Sequence, residues 1–191
     1  MLVSPDAFRY WFLGLYGLGV AAFIVTMVHL LSHRGSIEKR SGPMPSPGIL
    51  IPIGVPLLIL LSRVGELRTG SPAVRYVGFA LSLYYLVLLP WTLMALGRFA
   101  LPGMGVYRDH RLITSGPFAL VRNPLYSATV ALWLGAGLGT VNWLLLALWP
   151  FFAAIMIRFP MRLEERLLGE KFGPEYEAYA KRTARLVPGI W

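Results

Sequence analysis

Residues 125–157 read LYSATVALWLGAGLGTVNWLLLALWPFFAAIMI, an apolar run of 33 residues without a single charge. About 20 helical residues cross a hydrocarbon core, so this run is too long for one ordinary span. Gly135, Gly137, Gly139 and Asn142 interrupt it near the middle. The expected structure is a helical hairpin of two apolar segments, whose outer ends return to the same surface and lie close together.

Three further apolar stretches precede it. Residues 7–31 are long enough to span and lack the small-residue cleavage site of a removable signal peptide. Residues 47–61 carry Pro52 and Pro56, which remove backbone donors, so a short or kinked span is expected. Residues 74–96 form a span that stops at Gly97-Arg98. The fold class expected from the sequence is therefore an all-α, polytopic membrane bundle of about five transmembrane segments, with short cytoplasmic amphipathic helices. Five segments put the termini on opposite sides. Placing the C-terminus inside leaves only Arg9, Arg63, Arg68 and Arg75 outside, and 14 of the 18 Lys and Arg residues inside. The loop 97–124 and the tail from Arg158 are then cytoplasmic, as in a multi-pass protein of a prokaryotic inner membrane.

Composition agrees with a lipid environment. Of 191 residues 56% are hydrophobic and 14% charged, against roughly 45–50% and about 25% in soluble domains. No linker, low-complexity tract or solenoid repeat divides the chain, which reads as one unit over 1–191, with a helical membrane part at 1–96 and the chemistry-bearing part at 97–191. Cysteine is absent, which removes disulfides, thiolate zinc sites, iron–sulfur clusters and a cysteine nucleophile from this sequence. The net charge of +9 comes from basic residues flanking apolar runs, so an anionic membrane surface, not nucleic acid, is the expected partner. His29 and His33 end the first apolar stretch without an acidic or histidine partner at metal spacing, and no metal is expected. Gly14, Gly17 and Gly19 read as helix contacts, because no strand precedes them to make a dinucleotide fingerprint. Trp11, Trp91, Trp133, Trp143 and Trp149 read as interface anchors or bundle packing.

Polar side chains concentrate at the two ends of the hairpin, in residues 110–126, HRLITSGPFALVRNPLY, and residues 162–179, RLEERLLGEKFGPEYEAY. The hairpin brings both to one pocket at the membrane face. Thr114-Ser115-Gly116-Pro117 is a turn, and Asn123-Pro124 an N-cap followed by proline at the first helical position. Arg122-Asn123-Pro124 either simply starts a helix at the interface or offers its amide donors to a carboxylate or ribose oxygen. His110 is either an interfacial histidine or a site residue. Arg158, Arg162 and Glu165 recur on one face of an amphipathic helix. The pair Glu164-Glu165 is either part of a salt-bridged, solvated face or a receptor for a cationic group. That helix stops near Phe172-Gly173-Pro174 and a second short one starts at Glu175.

Across these segments the chain resembles the isoprenylcysteine carboxyl methyltransferase family and its prokaryotic relatives. The family's H-x-L-V-x-x-G-P-Y-x-x-x-R-H-P-x-Y, E-E-x-x-L and F-G-x-E-Y-x-x-Y elements, followed by R-x-x-P, are matched over 110–126 and 164–188. Phe118 stands for the family's tyrosine and Asn123 for its histidine. The resemblance implies a membrane enzyme that uses S-adenosylmethionine, with a lipophilic acceptor such as a prenylcysteine-like carboxylate. It implies that His110, Arg111, Leu112, Ile113, Gly116, Phe118, Arg122, Asn123, Pro124, Leu125, Tyr126 and Glu164 bind the cofactor. The family arginine that meets the acceptor carboxylate falls at Pro160, so Arg158 and Arg162 beside it are the candidate replacements, and Glu165 or His110 would take a proton from an amine acceptor. A phospholipid amine is the alternative acceptor. A sterol-reductase-like NADPH enzyme and a non-enzymatic scaffold are the competing classes.

Overall fold

The computed structural model describes residues 4–32, 37–40, 47–67, 69–99, 105–107 and 111–190. Helix α1 covers Pro5–Ser32, α2 Pro47–Ser62, α3 Pro72–Leu96, α4 Pro117–Leu120, α5 Pro124–Thr140, α6 Trp143–Met156, α7 Arg162–Phe172 and α8 Pro174–Arg182. A short antiparallel ribbon joins β1 (Ile37–Arg40) to β2 (Gly105–Tyr107), with Ile37 opposite Tyr107 and Arg40 opposite Gly105. Local chemistry sets several helix starts. Pro72, Pro117, Pro124 and Pro174 stand at the first turns of α3, α4, α5 and α8, where a missing N–H costs nothing. Between α7 and α8 the chain turns at Gly173, at φ 49°, a conformation glycine adopts without a Cβ penalty.

The hairpin break falls at Val141-Asn142. Val141 is left-handed, at φ 49°, and Asn142 caps α6 by accepting from Leu145 N at 3.0 Å while its amide donates to Val64 O at 2.9 Å. α5 is the central helix, packed mainly on α3 and α6. The core around it includes Phe12, Tyr16, Leu60, Tyr85, Leu132, Leu145 and Phe152. Trp133 stacks on Phe152 at 4.0 Å, donates to Leu145 O and is buried, so it is packing and not an interface anchor, whereas Trp143 is exposed.

α3 and α5 meet through glycine. A Cβ on Gly78 would lie 2.3 Å from Gly139 N and 2.5 Å from Gly135 O, both backbone atoms. Beside this contact Arg75 is buried and donates to Gly139 O at 3.0 Å, a carbonyl in the last turn of α5, and to Leu67 O at 3.2 Å in the segment before α3. Replacing Gly78 with alanine is expected to lower stability by about 1–3 kcal/mol, since backbone cannot yield as a side-chain tip does. Thermal unfolding in detergent measures it, and an unchanged midpoint would show that the helices separate freely here.

The expectation of about five transmembrane segments is corrected. Among the described residues two helices are long and apolar enough to cross a membrane: Pro72–Leu96, and the continuous helical stretch Trp143–Phe172. α2 and α5 have 16 and 17 residues, about 24–26 Å at 1.5 Å per residue, against a hydrocarbon core of about 30 Å. For α2 and α5 the sequence count took apolar runs as spans without their helical lengths. With the count goes the basis for opposite termini and for the 14-to-4 charge split, which also used Arg34, Arg68 and Arg108, outside the described residues. The mostly helical class stands. Only 22% of the apolar window of each long helix is buried within the protein, whereas a soluble core helix is buried throughout. Val87, Met94, Phe151 and Ile155 point outward, and the protein is membrane-associated.

α6 does not run straight into α7. Residues Ile157–Met161 form a π turn around Pro160. Proline cannot donate to the helical ladder, and the wider turn accommodates its ring. The inserted residue rotates α7 about the helix axis relative to α6. Arg158 and Arg162 are both exposed, while the Glu165 side chain is only 12% exposed, so the three do not share the solvated face expected of a regular helix.

Candidate functional site

The polar segments at the two ends of the hairpin meet in one cleft. Its floor is the start of α5, Asn123 to Tyr126. One wall is Leu96 and Phe99 at the end of α3, with Arg111, Leu112, Ile113 and Phe118. The other is Glu164 and Leu168 of α7 with Tyr179 of α8. Arg122 also borders it. The lining is mostly apolar and aromatic with a few polar groups, the composition of a small-molecule site.

Within the cleft Tyr126 Oη donates to Glu164 Oε2 at 3.0 Å. Burial, and then the carboxylate beside it, pushes the Tyr126 phenol well above its usual range, so the hydroxyl remains a donor. Tyr179 Oη donates to Phe118 O at 2.8 Å, fixing α4 to α8. Burial pushes Tyr179 up to about 12, against the opposing pull of Arg122 and Arg182. Gly116, at φ 63°, turns the chain into α4 against Trp91.

Behind the floor, on the side away from the cleft, Glu165 gathers three partners. Asn123 Nδ2 donates to its Oε1 at 2.8 Å, Arg185 Nε lies 3.1 and 3.0 Å from its two oxygens, and Arg122 Nε is 3.5 Å from Oε1. Arg185 Nη2 also donates to Oε2. Arg122 Nη1 donates to Thr183 O at 2.7 Å and to Ala180 O. Asn123 is thus no side-chain N-cap; its amide is turned onto Glu165, and proline alone marks the helix start.

Of the residues expected to form the site, Arg111, Leu112, Ile113, Phe118, Arg122, Asn123, Pro124, Leu125, Tyr126 and Glu164 line this cleft. Gly116 is not in the lining; it turns the chain into α4 two residues before Phe118. Arg158, Arg162 and Glu165 are not in the lining, the first two exposed and the third engaged by cations. His110 lies outside the described residues. Sequence reasoning missed Leu96, Phe99, Leu168 and Tyr179. Leu168 and Tyr179 end the E-E-x-x-L and F-G-x-E-Y-x-x-Y elements, which held the signal, whereas Leu96 and Phe99 are apolar residues at a helix end, where nothing marks them. Among the described residues no group of three or more His, Cys, Asp or Glu is placed to hold a metal ion.

A mostly apolar cleft, with one carboxylate among the described lining residues, lies beside outward-facing apolar helices in a membrane-associated protein. Residues 74–175, more than half of the chain, match the phospholipid methyltransferase model, and they contain most of the cleft. The chain belongs to the phospholipid methyltransferase family, and the matched region is a methyltransferase domain. No match specific to the isoprenylcysteine carboxyl methyltransferases accompanies it. Among curated proteins the chain is similar to the cobalt-zinc-cadmium resistance protein CzcN of Cupriavidus metallidurans, 36% identical over 83 residues, and to the nickel-cobalt-cadmium resistance protein NccN of Alcaligenes xylosoxydans xylosoxydans, 35% identical over 83 residues. Each match covers 44% of this chain and 38% of the relative, well under two thirds of its length.

Proposed function

We propose that the protein is an S-adenosylmethionine-dependent methyltransferase acting on a lipid, with a phospholipid or other lipid amine as the preferred acceptor and residues 1–191 working as one unit. The observation that carries this reading is the overlap of the family match with the cleft between α3, α5 and α7. The donor set suits the cofactor. The Glu164 carboxylate, held by Tyr126, fits an ammonium or a ribose hydroxyl, the exposed Arg111 fits a carboxylate, and Phe99, Phe118 and the leucines fit an adenine ring. The cofactor would supply an electrophilic methyl group on a sulfonium, which an acceptor nucleophile takes as the carbon–sulfur bond breaks and the neutral thioether, S-adenosylhomocysteine, leaves, chemistry that needs no metal. The chain's own residues align the reactants and keep water away. An amine acceptor must be neutral to react, and burial in an apolar cleft lowers an ammonium's pKa, so the lining itself favours the reactive form. Because so polar a cofactor is cytoplasmic, the cleft opens to that side.

An amine is preferred over a carboxylate because the two arginines beside Pro160 are exposed and lie outside the cleft lining. Alanine at both Arg158 and Arg162 is therefore expected to leave the KM for the lipid acceptor and the turnover within about twofold, and a tenfold loss in either would return them to the acceptor site. Equilibrium binding to the purified protein separates the classes. S-adenosylhomocysteine is expected to bind and NADPH not to; the opposite result would favour a reductase, and binding of neither a scaffold.

A further inference from the structure

The adjacent carboxylates Glu164 and Glu165 have different partners, because successive residues on a helix point about 100° apart. Glu164 lines the cleft, whereas Glu165 joins three parts of the chain: α7, the turn before α5 through Asn123 and Arg122, and the segment after α8 through Arg185. That last segment runs parallel to the turn, with Val121 bridged to Ala184. Arg122 N donates to Ala184 O at 2.7 Å and Asn123 N to Arg185 O at 3.2 Å, and Ser127 Oγ donates to Leu186 O at 2.7 Å. Residues 183–186 thus back the same turn whose other side forms the floor of the cleft.

We propose that Arg185 is a positioning residue: acting through Glu165 and Asn123, it sets the shape of the turn 122–126, so that the C-terminal segment is a working part of the cofactor site. The contact is not an ordinary surface ion pair, which contributes little. The two side chains are 18% and 12% exposed, and the guanidinium meets both carboxylate oxygens, the geometry that fixes orientation as well as charge. Without Arg185 the carboxylate keeps only Arg122 and Asn123 among these partners, and Arg122 must be shared with the carbonyls of Thr183 and Ala180. The turn then loses its defined position.

The ligand part of this inference rests on the methyltransferase reading; the clamp itself rests on geometry. The test therefore has two readouts on purified Arg185→Leu protein: the dissociation constant for S-adenosylhomocysteine, and hydrogen exchange at the amides of Arg122 and Asn123. At least a tenfold weaker affinity and at least tenfold faster exchange are expected, with the KM for the lipid acceptor nearly unchanged. Arg185→Lys, which keeps the charge and loses the planar fork, should recover part of both. If the leucine variant does not fold, Glu165→Gln reports on the same contact with the same expected direction. A folded variant with wild-type affinity and wild-type exchange would overturn the clamp. Wild-type protein that binds no S-adenosylhomocysteine while exchange still depends on Arg185 would overturn the functional reading and leave the clamp standing.

Discussion

Replacing Glu164 with glutamine is expected to weaken S-adenosylhomocysteine binding about ten- to a hundred-fold without unfolding the protein. Among the described residues Glu164 is the one acidic side chain in the cleft lining, and Tyr126 donates to one of its oxygens through the 3.0 Å hydrogen bond. The other oxygen is available to a ligand's ammonium or hydroxyl. Glutamine keeps the shape and can still accept from Tyr126, so what is lost is one charge-assisted contact, about 1.5–3 kcal/mol, which corresponds to that range of affinity. The fold is expected to survive because the ion pairs that tie the C-terminal segment belong to Glu165. Isothermal titration of the variant reads the change. A dissociation constant equal to wild type would move Glu164 out of the cofactor site.

Arg122→Leu should act on stability first, lowering it by about 3–5 kcal/mol, the range seen when one member of a largely buried ion pair is removed. The Arg122 and Glu165 side chains are 17% and 12% exposed. The guanidinium also satisfies the Thr183 carbonyl and that of Ala180 in the last turn of α8. Leucine would leave these acceptors to water, and the seam between α5 and the C-terminal segment would open. Thermal unfolding followed by circular dichroism, together with methyl transfer at a temperature below the lowered midpoint, separates the stability loss from any loss of activity. A midpoint within about 2 °C of wild type, well under the shift such a loss produces, would show that the backbone pairing of 121–123 with 184–185 holds the seam by itself.

The sequence revealed chemistry more clearly than geometry. The apolar run broken by Asn142 and the two polar segments at its ends were enough to expect one shared pocket, because a hairpin returns its ends to one place. Proline marked the start of α5, since its missing N–H suits only a first turn, and the short helix expected from Glu175 starts one residue earlier, at Pro174. Helix lengths were not legible in the same way. Runs of apolar residues show what a lipid or a core would accept, and they do not separate a 17-residue helix packed on Gly78 from a full span. The π turn at Ile157–Met161 was hidden because it depends on how Pro160 is accommodated, and it changes the angle between Arg158 and the residues of α7. Arg185 was visible only as the first residue of R-x-x-P. Its pairing with Glu165 joins residues 20 positions apart, a contact that no local pattern specifies.

Transfer of a labelled methyl group, measured with purified protein in lipid nanodiscs, tests the central claim most directly. The protein is offered labelled S-adenosylmethionine with phosphatidylethanolamine, with a prenylcysteine analogue, or with neither, and lipid products are separated and counted. The expected result is label on the phosphatidylethanolamine amine, dependent on Glu164, with little on the prenylcysteine. Label on the prenylcysteine carboxylate alone, or on no acceptor by a protein that binds the cofactor, would contradict the account.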